Sequence, residues 1–313
     1  MTVELPSAQQ VREARERIAG HVHRTAVLGC RSLDAIAGAT LRLKCENLQK
    51  TGSFKARGAT HAVARISPAV RCVVTHSSGN HGAALAFAAR AHGLEAYVVV
   101  PRGAPASKRA AIEAYGGRIV ECEPTMAARE RGAMEIVERT GGRLVHPYDD
   151  PDVVRGQGTV ALEAWEQTGG FDAIVVPVGG GGLLAGCAGL VRALGGPRVR
   201  VVAAEPAGAD DAYRSWQAGR RVSVESPRTV ADGLRATIGE HGLLALRTAV
   251  DEVVRVDDAQ ILEAMTLLAE RAKLVVEPSG AVALAAALAG AVRGRDALVV
   301  LSGGNRDLRT AGG

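Results

Sequence analysis

Lys55 lies in Ser53-Phe54-Lys55-Ala56-Arg57-Gly58-Ala59, shortly after an apolar run, Leu41-Arg42-Leu43-Lys44-Cys45, that reads as a strand. Ser53 is expected to act as a helix N-cap, which puts Lys55 in the first helical turn. The positive end of a helix dipole disfavours a second positive charge there, and burial would lower the amine's pKa further. A lysine held partly neutral is a nucleophile that forms Schiff bases with aldehydes. A solvated surface group is the commoner fate of a lysine near a helix start. Two other segments decide between these readings.

The first is Val178-Gly179-Gly180-Gly181-Gly182-Leu183-Leu184-Ala185-Gly186, which follows an apolar run and opens a helical stretch. Consecutive glycines let backbone approach a ligand closely, and free N–H groups at a helix start hold a phosphate. Taken alone, Gly180-x-Gly182-x-x-Ala185 with Glu205 beyond the next strand also fits a dinucleotide-binding turn. That alternative, a nicotinamide-dependent dehydrogenase, leaves the Lys55 segment without a role. The other segment is Thr75-His76-Ser77-Ser78-Gly79-Asn80-His81-Gly82, again between strand and helix. Its hydroxyls, amide, imidazole and helix-start N–H groups suit a carboxylate. The plainer reading is that the serines cap the helix and His81 is a surface residue.

A reactive amine, a phosphate cradle and a carboxylate cradle together point to pyridoxal phosphate, which carries an aldehyde and a phosphate and acts on amino acids. SFKARGA (53–59), SSGNHG (77–82), VPVGGGGLLAG (176–186) and LSGGN (301–305) occur in this order in fold-type II pyridoxal-phosphate enzymes. From about residue 5 to 308 the chain resembles the branch containing serine racemase, serine/threonine dehydratases and 3-hydroxyaspartate dehydratase. The resemblance implies that Lys55 is the Schiff-base lysine, that Phe54 packs beside the cofactor ring and that Asn80 partners the ring hydroxyl. It makes Gly179, Gly180, Gly181, Gly182 and Leu183 the phosphate loop and Ser302 the partner of the pyridine nitrogen. Ser77, Ser78, Asn80 and His81 become the substrate-carboxylate loop, with Ser78 also an acid/base on the face opposite the lysine. Arg129 becomes a substrate-side arginine. Glu205, the carbonyl of Ala209 and Asp211 become ligands of a divalent metal, Mg²⁺ or alternatively Ca²⁺ or Mn²⁺, for which oxygen ligation is apt. A homodimer is implied as well.

Some positions depart from the branch. Ala236 stands where the mammalian racemase has a serine that contacts substrate, and Tyr148 replaces an asparagine near the cofactor. Arg306 replaces a small apolar residue, and Arg31 replaces a serine near the mammalian nucleotide-effector site. The expected activity is β-elimination from serine, threonine or 3-hydroxyaspartate, giving a 2-oxo acid and ammonia. The alternative is racemisation of serine or aspartate on the same scaffold. No regulatory extension follows Leu308, so the feedback-controlled biosynthetic threonine dehydratase is not expected.

The elements that must position these residues follow from the pattern. Cys72–Thr75, Ala96–Val100, Arg118–Glu121, Ala173–Pro177, Val199–Ala203 and Ala297–Leu301 are continuous apolar or β-rich runs, as in parallel strands buried on both faces. Helical stretches such as Gly82–His92 and Ala259–Ala272 lie between them. Such alternation implies α/β architecture with two doubly wound parallel-sheet domains. The large, cofactor-binding domain is expected from residues 1–62 and 148–313, and the small one from 63–147.

Composition excludes other classes. At 313 residues and 47% hydrophobic the chain can build substantial cores, and its net charge of +5 comes from arginines interleaved with acids rather than a basic patch. Nucleic-acid binding is therefore not expected. Cys30, Cys45, Cys72, Cys122 and Cys187 are scattered, which argues against disulfides or a zinc site. The first residues lack a signal-peptide pattern, and Ala281–Val292 is too short to span a bilayer. A cytoplasmic protein with a small amino-acid substrate is the resulting expectation.

Overall fold

The structure, a computed structural model, describes residues 3–307. Its strands are β1 (Val27–Leu28), β2 (Thr40–Cys45), β3 (Cys72–Thr75), β4 (Glu95–Pro101), β5 (Gly117–Cys122), β6 (Arg143–Leu144), β7 (Ala173–Pro177), β8 (Arg200–Pro206), β9 (Glu252–Val256) and β10 (Asp296–Leu301). They form a six-stranded sheet, β1-β2-β10-β7-β8-β9, and a four-stranded sheet, β5-β4-β3-β6. Among the described strands only the β1–β2 pair is antiparallel.

The continuous apolar runs are explained by two-sided burial. In β7, Ala173 and Val175 enter the core on one face of the large sheet, while Ile174 and Val176 enter the core on the other. β10 divides in the same way, Ala297, Val299 and Leu301 opposite Leu298 and Val300. Successive side chains on a strand point to opposite faces, so a sheet covered on both needs apolar residues at every position. Strands β1, β6 and β9 were not anticipated. The first two are two residues long, and β9 is an edge strand whose sequence includes Glu252 and Arg255. The stretch expected as a helix over 259–272 is α-helical to Leu267 and closes in a π-turn, Leu268–Ala272. Among the described residues no helix is long and apolar enough to cross a membrane.

Three helices pack almost backbone to backbone beneath the site. Lys55–Ala64 meets Pro151–Thr168 at Gly58 and Gly156, where a Cβ on Gly156 would lie 2.6 Å from Gly58 Cα. The helix Gly182–Gly195 meets the same long helix at Gly186, where a Cβ would lie 2.6 Å from Gly158 N. Next to these crossings sits a buried charge network. Arg57, 0% exposed, donates from Nε and one terminal nitrogen to Glu46 at 2.8 Å each. It also grips Glu163 at 2.7 and 2.8 Å, and Lys44 Nζ donates to Glu163 at 3.0 Å and to the Thr25 carbonyl at 2.9 Å. Removing one member of such a network leaves buried charge unpaired, which costs about 3–5 kcal/mol. Arg57→Met is therefore expected to lower unfolding stability by about that amount, read from the urea midpoint. An unchanged midpoint would show that the network is not structural.

Candidate active site

Lys55 is the first residue of its helix, as expected, but Ser53 does not cap it. The cap position falls on Phe54, which makes no side-chain cap bond, Gly58 N in the first turn donates to Gln157 Oε1 at 3.1 Å, and Ser53 Oγ is buried without a partner among the described residues. Ser53 is extended instead. It forms an isolated bridge with Gly303, and Phe54 N donates to Ser302 O at 3.0 Å. That pairing with the loop after β10 draws Ser53 away from the helix end. Lys55 is half-buried as a residue, with its amine at the enclosed end. Nζ donates to Pro147 O at 2.7 Å and lies 5.0 Å from the Phe54 ring centroid. Burial lowers its pKa to about 8, and Glu277 opposes the shift only in part.

The glycine loop leaves β7 and enters the helix Gly182–Gly195 with Gly181 at φ 89°, a left-handed conformation that glycine adopts without strain. This helix too lacks a side-chain cap, so its first-turn N–H groups are left for an anion. Leu183 is buried in that turn. The ring of Tyr148 lies against the loop, and a Cβ on Gly180 would fall 2.3 Å from it. The tyrosine that replaces asparagine in this chain is thus accommodated by the glycine opposite. Gly180 O accepts from Gly239 N at 3.0 Å, and the neighbouring Ile238 N donates to Asp211 Oδ2 at 2.7 Å.

Ser302 follows β10, buried, its hydroxyl donating to Ser279 O at 3.3 Å. Ser77 and Ser78 are half-buried between β3 and the helix Asn80–Ala91 and do not cap it. Asn80 donates from Nδ2 to Glu277 at 2.7 Å and accepts on Oδ1 from Asn305 at 2.9 Å. His81 is not a surface residue. It is 1% exposed, with Nε2 3.3 Å from Val145 O and Nδ1 buried without a partner. Burial and the charge of Lys55 hold its pKa well below the ordinary value, so it is neutral. His76, His146 and Tyr148 stack edge to face beside it, and burial brings the pKa of His146 to about 4.

Arg129 is half-buried in the first turn of the helix Met126–Thr140, its Nε enclosed without a partner among the described residues. Its charge reaches His76, whose pKa falls mainly through burial. Glu205, Ala209 and Asp211 form a separate buried cluster. Glu205 accepts from Ala212 N and Tyr213 N at 2.8 and 2.9 Å. Burial raises its pKa to about 8 and that of Asp211 to about 6, with their mutual repulsion adding to Glu205. A groove of about 230 Å³ between β5 and the helix Met126–Thr140 includes none of these residues.

Glu277, Asn305 and Pro147 belong to the site although their sequence context did not single them out. One signal was present. Glu277 is a lone acid ending the apolar run Leu274-Val275-Val276.

A buried, partly neutral amine beside an uncapped, glycine-lined helix start has the donor set for a molecule bearing both an aldehyde and a phosphate. Residues 18–303 match the family described as pyridoxal-phosphate dependent enzyme, and the chain belongs to that family. Its cofactor is pyridoxal phosphate and its architecture is that of the fold-type II enzymes. The chain is 46% identical over 307 residues to a serine racemase from Arabidopsis thaliana, covering 95% of this chain and 92% of that protein. It is 43% identical over 308 residues to a beta-hydroxyaspartate dehydratase from Paracoccus denitrificans, covering 97% and 98%. The solved structure of maize serine racemase superposes with a TM-score of 0.96 at 42% identity, covering 98% of this chain and 96% of that one.

Only the neutral amine of Lys55 can react with the aldehyde. Covalent capture of pyridoxal phosphate by cofactor-free protein should accelerate about tenfold per pH unit and level off near pH 8. Borohydride should then fix the cofactor to wild-type chain but not to Lys55→Ala, as read by mass spectrometry.

Proposed function

We propose that this protein eliminates water from a β-hydroxy amino acid and releases a 2-oxo acid and ammonia. The observation that carries the reading is the buried Lys55 amine, held partly neutral with the neutral hydroxyl of Ser302 also in the site. Pyridoxal phosphate supplies the electron sink that stabilises negative charge on the substrate α-carbon. The Lys55 amine, when not bonded to the cofactor, would take the α-proton. Ser77, Ser78 and the helix-start N–H groups at Asn80 and His81 hold the substrate carboxylate. Gly179 to Leu183 would hold the cofactor phosphate, Phe54 would lie on the ring side of the site, and Ser302 would supply a hydroxyl partner for the ring nitrogen. A hydroxyl stabilises a protonated ring nitrogen less than a carboxylate would, which favours prompt loss of the β-hydroxyl over a long-lived carbanion. The β-hydroxyl would leave as water, the α-proton taken up by Lys55 balancing the proton it needs, and addition of water to the released enamine would yield the oxo acid and ammonia.

The side-chain preference follows from Arg129. A guanidinium with an enclosed, unpartnered Nε suits a second carboxylate, so 3-hydroxyaspartate is favoured over serine and threonine. The Paracoccus dehydratase, similar over nearly its whole length, supports this. Racemisation is the second reading. Ser78 could return a proton on the opposite face, and the Arabidopsis relative is a serine racemase, but Ala236 offers no hydroxyl to substrate. We assign residues 63–147 to the small domain, the remainder to the large one, and a homodimer to the assembly. The free cysteines suit a reducing compartment such as the cytoplasm.

Holoenzyme incubated with L-serine, L-threonine and L-threo-3-hydroxyaspartate should yield oxo acid in excess of D-amino acid, fastest from 3-hydroxyaspartate. Arg129→Leu should lower kcat/KM for 3-hydroxyaspartate by about 10²-fold or more while changing serine turnover little. D-amino acid in excess would establish the racemase reading instead, and neither product would sink both.

Glu205, the Ala209 carbonyl and Asp211 are proposed to bind Mg²⁺, with Ca²⁺ or Mn²⁺ as alternatives. Both carboxyl pKa values are raised in the folded state, so the stability these groups contribute is complete below about pH 4 and lost as pH rises through about 6 and about 8. A cation binds the ionised forms. Added Mg²⁺ should therefore raise Tm, by an increment that grows from about pH 6 to about pH 8 and vanishes in Glu205→Gln. An increment independent of pH, or retained in the variant, would exclude this cluster.

A further inference from the structure

Glu277 occupies the N-cap position of the helix Pro278–Ala286 yet its side chain makes no cap hydrogen bond. The carboxylate turns away from the helix and into the site. It is 8% exposed, and a Cβ on Gly303 would lie 2.5 Å from its Oε1, so it rests against the loop that bears Ser302. With Pro278 lacking an N–H and Gly280 N donating to Glu277 O, the carboxylate requires a partner elsewhere, because desolvating it costs several kcal/mol. That partner is the Asn80 amide, 2.7 Å away.

An ionised carboxylate only accepts, so Asn80 must present its NH₂ to Glu277 and its oxygen to the other side. On that side Asn305 Nδ2 donates to Asn80 Oδ1 at 2.9 Å and to Thr51 O at 2.7 Å. Donation thus runs outward from the Asn305 amide, to Thr51 O on one side and through Asn80 to Glu277 on the other, and the carbonyl and carboxylate at the two ends set both amide orientations. One N–H of Asn80 is left over. Asn80 begins the helix that follows β3 of the small sheet, whereas Glu277 and Asn305 flank β10 of the large one. Nearby, Lys108 of the helix Ala106–Ala114 pairs with Asp232, a second tie between the two sides. The charged groups acting on Glu277 are Asp232, Lys108 and Lys55.

We propose that Glu277 is a positioning residue that fixes the Asn80 amide so that an N–H, and not the oxygen, meets the cofactor's ring hydroxyl when the two sides of the site are docked. This rests on the assignment of Asn80 to that hydroxyl. A donor there favours the ionised ring oxygen, and an amide oxygen would favour the protonated one. Burial raises the Glu277 pKa to about 7, with the Asn80 hydrogen bond pulling it back. The ionised acceptor is therefore half-formed near pH 7, complete above about pH 8 and lost in acid.

The test uses pyridoxal-phosphate holoenzyme without substrate. In Glu277→Gln the obligate acceptor becomes an amide that can donate or accept, so Asn80 keeps its orientation only through Asn305 and its N–H is no longer fixed toward the ring hydroxyl. The pH midpoint of the cofactor's visible absorption should move by about one unit, a tenfold change in the ratio of the two forms. Turnover should fall about tenfold with substrate KM little changed. Asn305→Ala removes the other partner but leaves the acceptor, so its spectrum should titrate as in wild type. An unshifted Glu277→Gln spectrum overturns the proposal, even if Tm drops, since a purely structural role would move Tm alone. If Glu277→Gln fails to fold, a shift in Asn305→Ala overturns the proposal and a wild-type titration there upholds it. Absence of the visible band from wild-type protein would instead sink the cofactor assignment itself.

Discussion

Arg57 is a fully buried guanidinium gripped by two carboxylates, and the place of Lys55 follows from it. The two residues share the first turn of one helix. Glu46 lies at the end of β2 and Glu163 inside the long helix Pro151–Thr168, so Arg57 ties its helix to the large sheet and to the neighbouring layer at once. An apolar contact of equal area could hold these elements together, but it would not set the helix rotation so narrowly. Bidentate geometry on both carboxylates does. With rotation and height thus set, the Lys55 amine reaches Pro147 O, at the crossing from small sheet to large, rather than solvent.

The site gathers loops that leave the C-terminal ends of β3, β7 and β10, where ligands bind in open parallel sheets. One cause, burial, then acts on Lys55, His81 and Glu277 according to their charge. It lowers the pKa of Lys55 and of His81, and raises that of Glu277. The amine becomes nucleophilic, the imidazole becomes a neutral hydrogen-bonding group, and the carboxylate becomes sensitive to its partners. The same cause acts on Glu205 and Asp211. Their cluster connects to the glycine loop through two consecutive residues, since Asp211 holds Ile238 N and Gly180 holds Gly239 N.

Much of this was legible in the sequence because it is local. The glycine loop, the Ser77–His81 segment and the Lys55 segment are contiguous motifs, and each proved to be a strand-to-helix junction or helix start as expected. β3 and β7 coincide with their apolar runs because burial on both faces leaves no polar position to blur them. What was not legible acts across long separations. Asn80 and Glu277 are 197 residues apart, and Asn80 and Asn305 are 225 apart, so no spacing rule links them. Ser53 shows the same limit. Its local context is that of a cap, and a tertiary bridge to Gly303 overrides it. The segment's residue types placed His81 in a carboxylate loop, but its burial and neutral state could not be read from them, because neutral buried histidines carry no sequence mark.

β10 comes after every other strand in the sequence yet lies inside the large sheet, between β2 and β7. During synthesis the four-stranded sheet, drawn from one continuous stretch, can form while the larger sheet still has a gap at its centre. Until residues 296–301 emerge, β2 and β7 have no common neighbour and each presents an unpaired edge. Ser302, Gly303 and Asn305 arrive with that strand. The binding site is therefore completed by the last insertion, and a nascent chain lacking it holds the Lys55 amine without the walls that keep it buried. A full cofactor pocket therefore requires β10 in place, since the residues that wall it follow that strand directly.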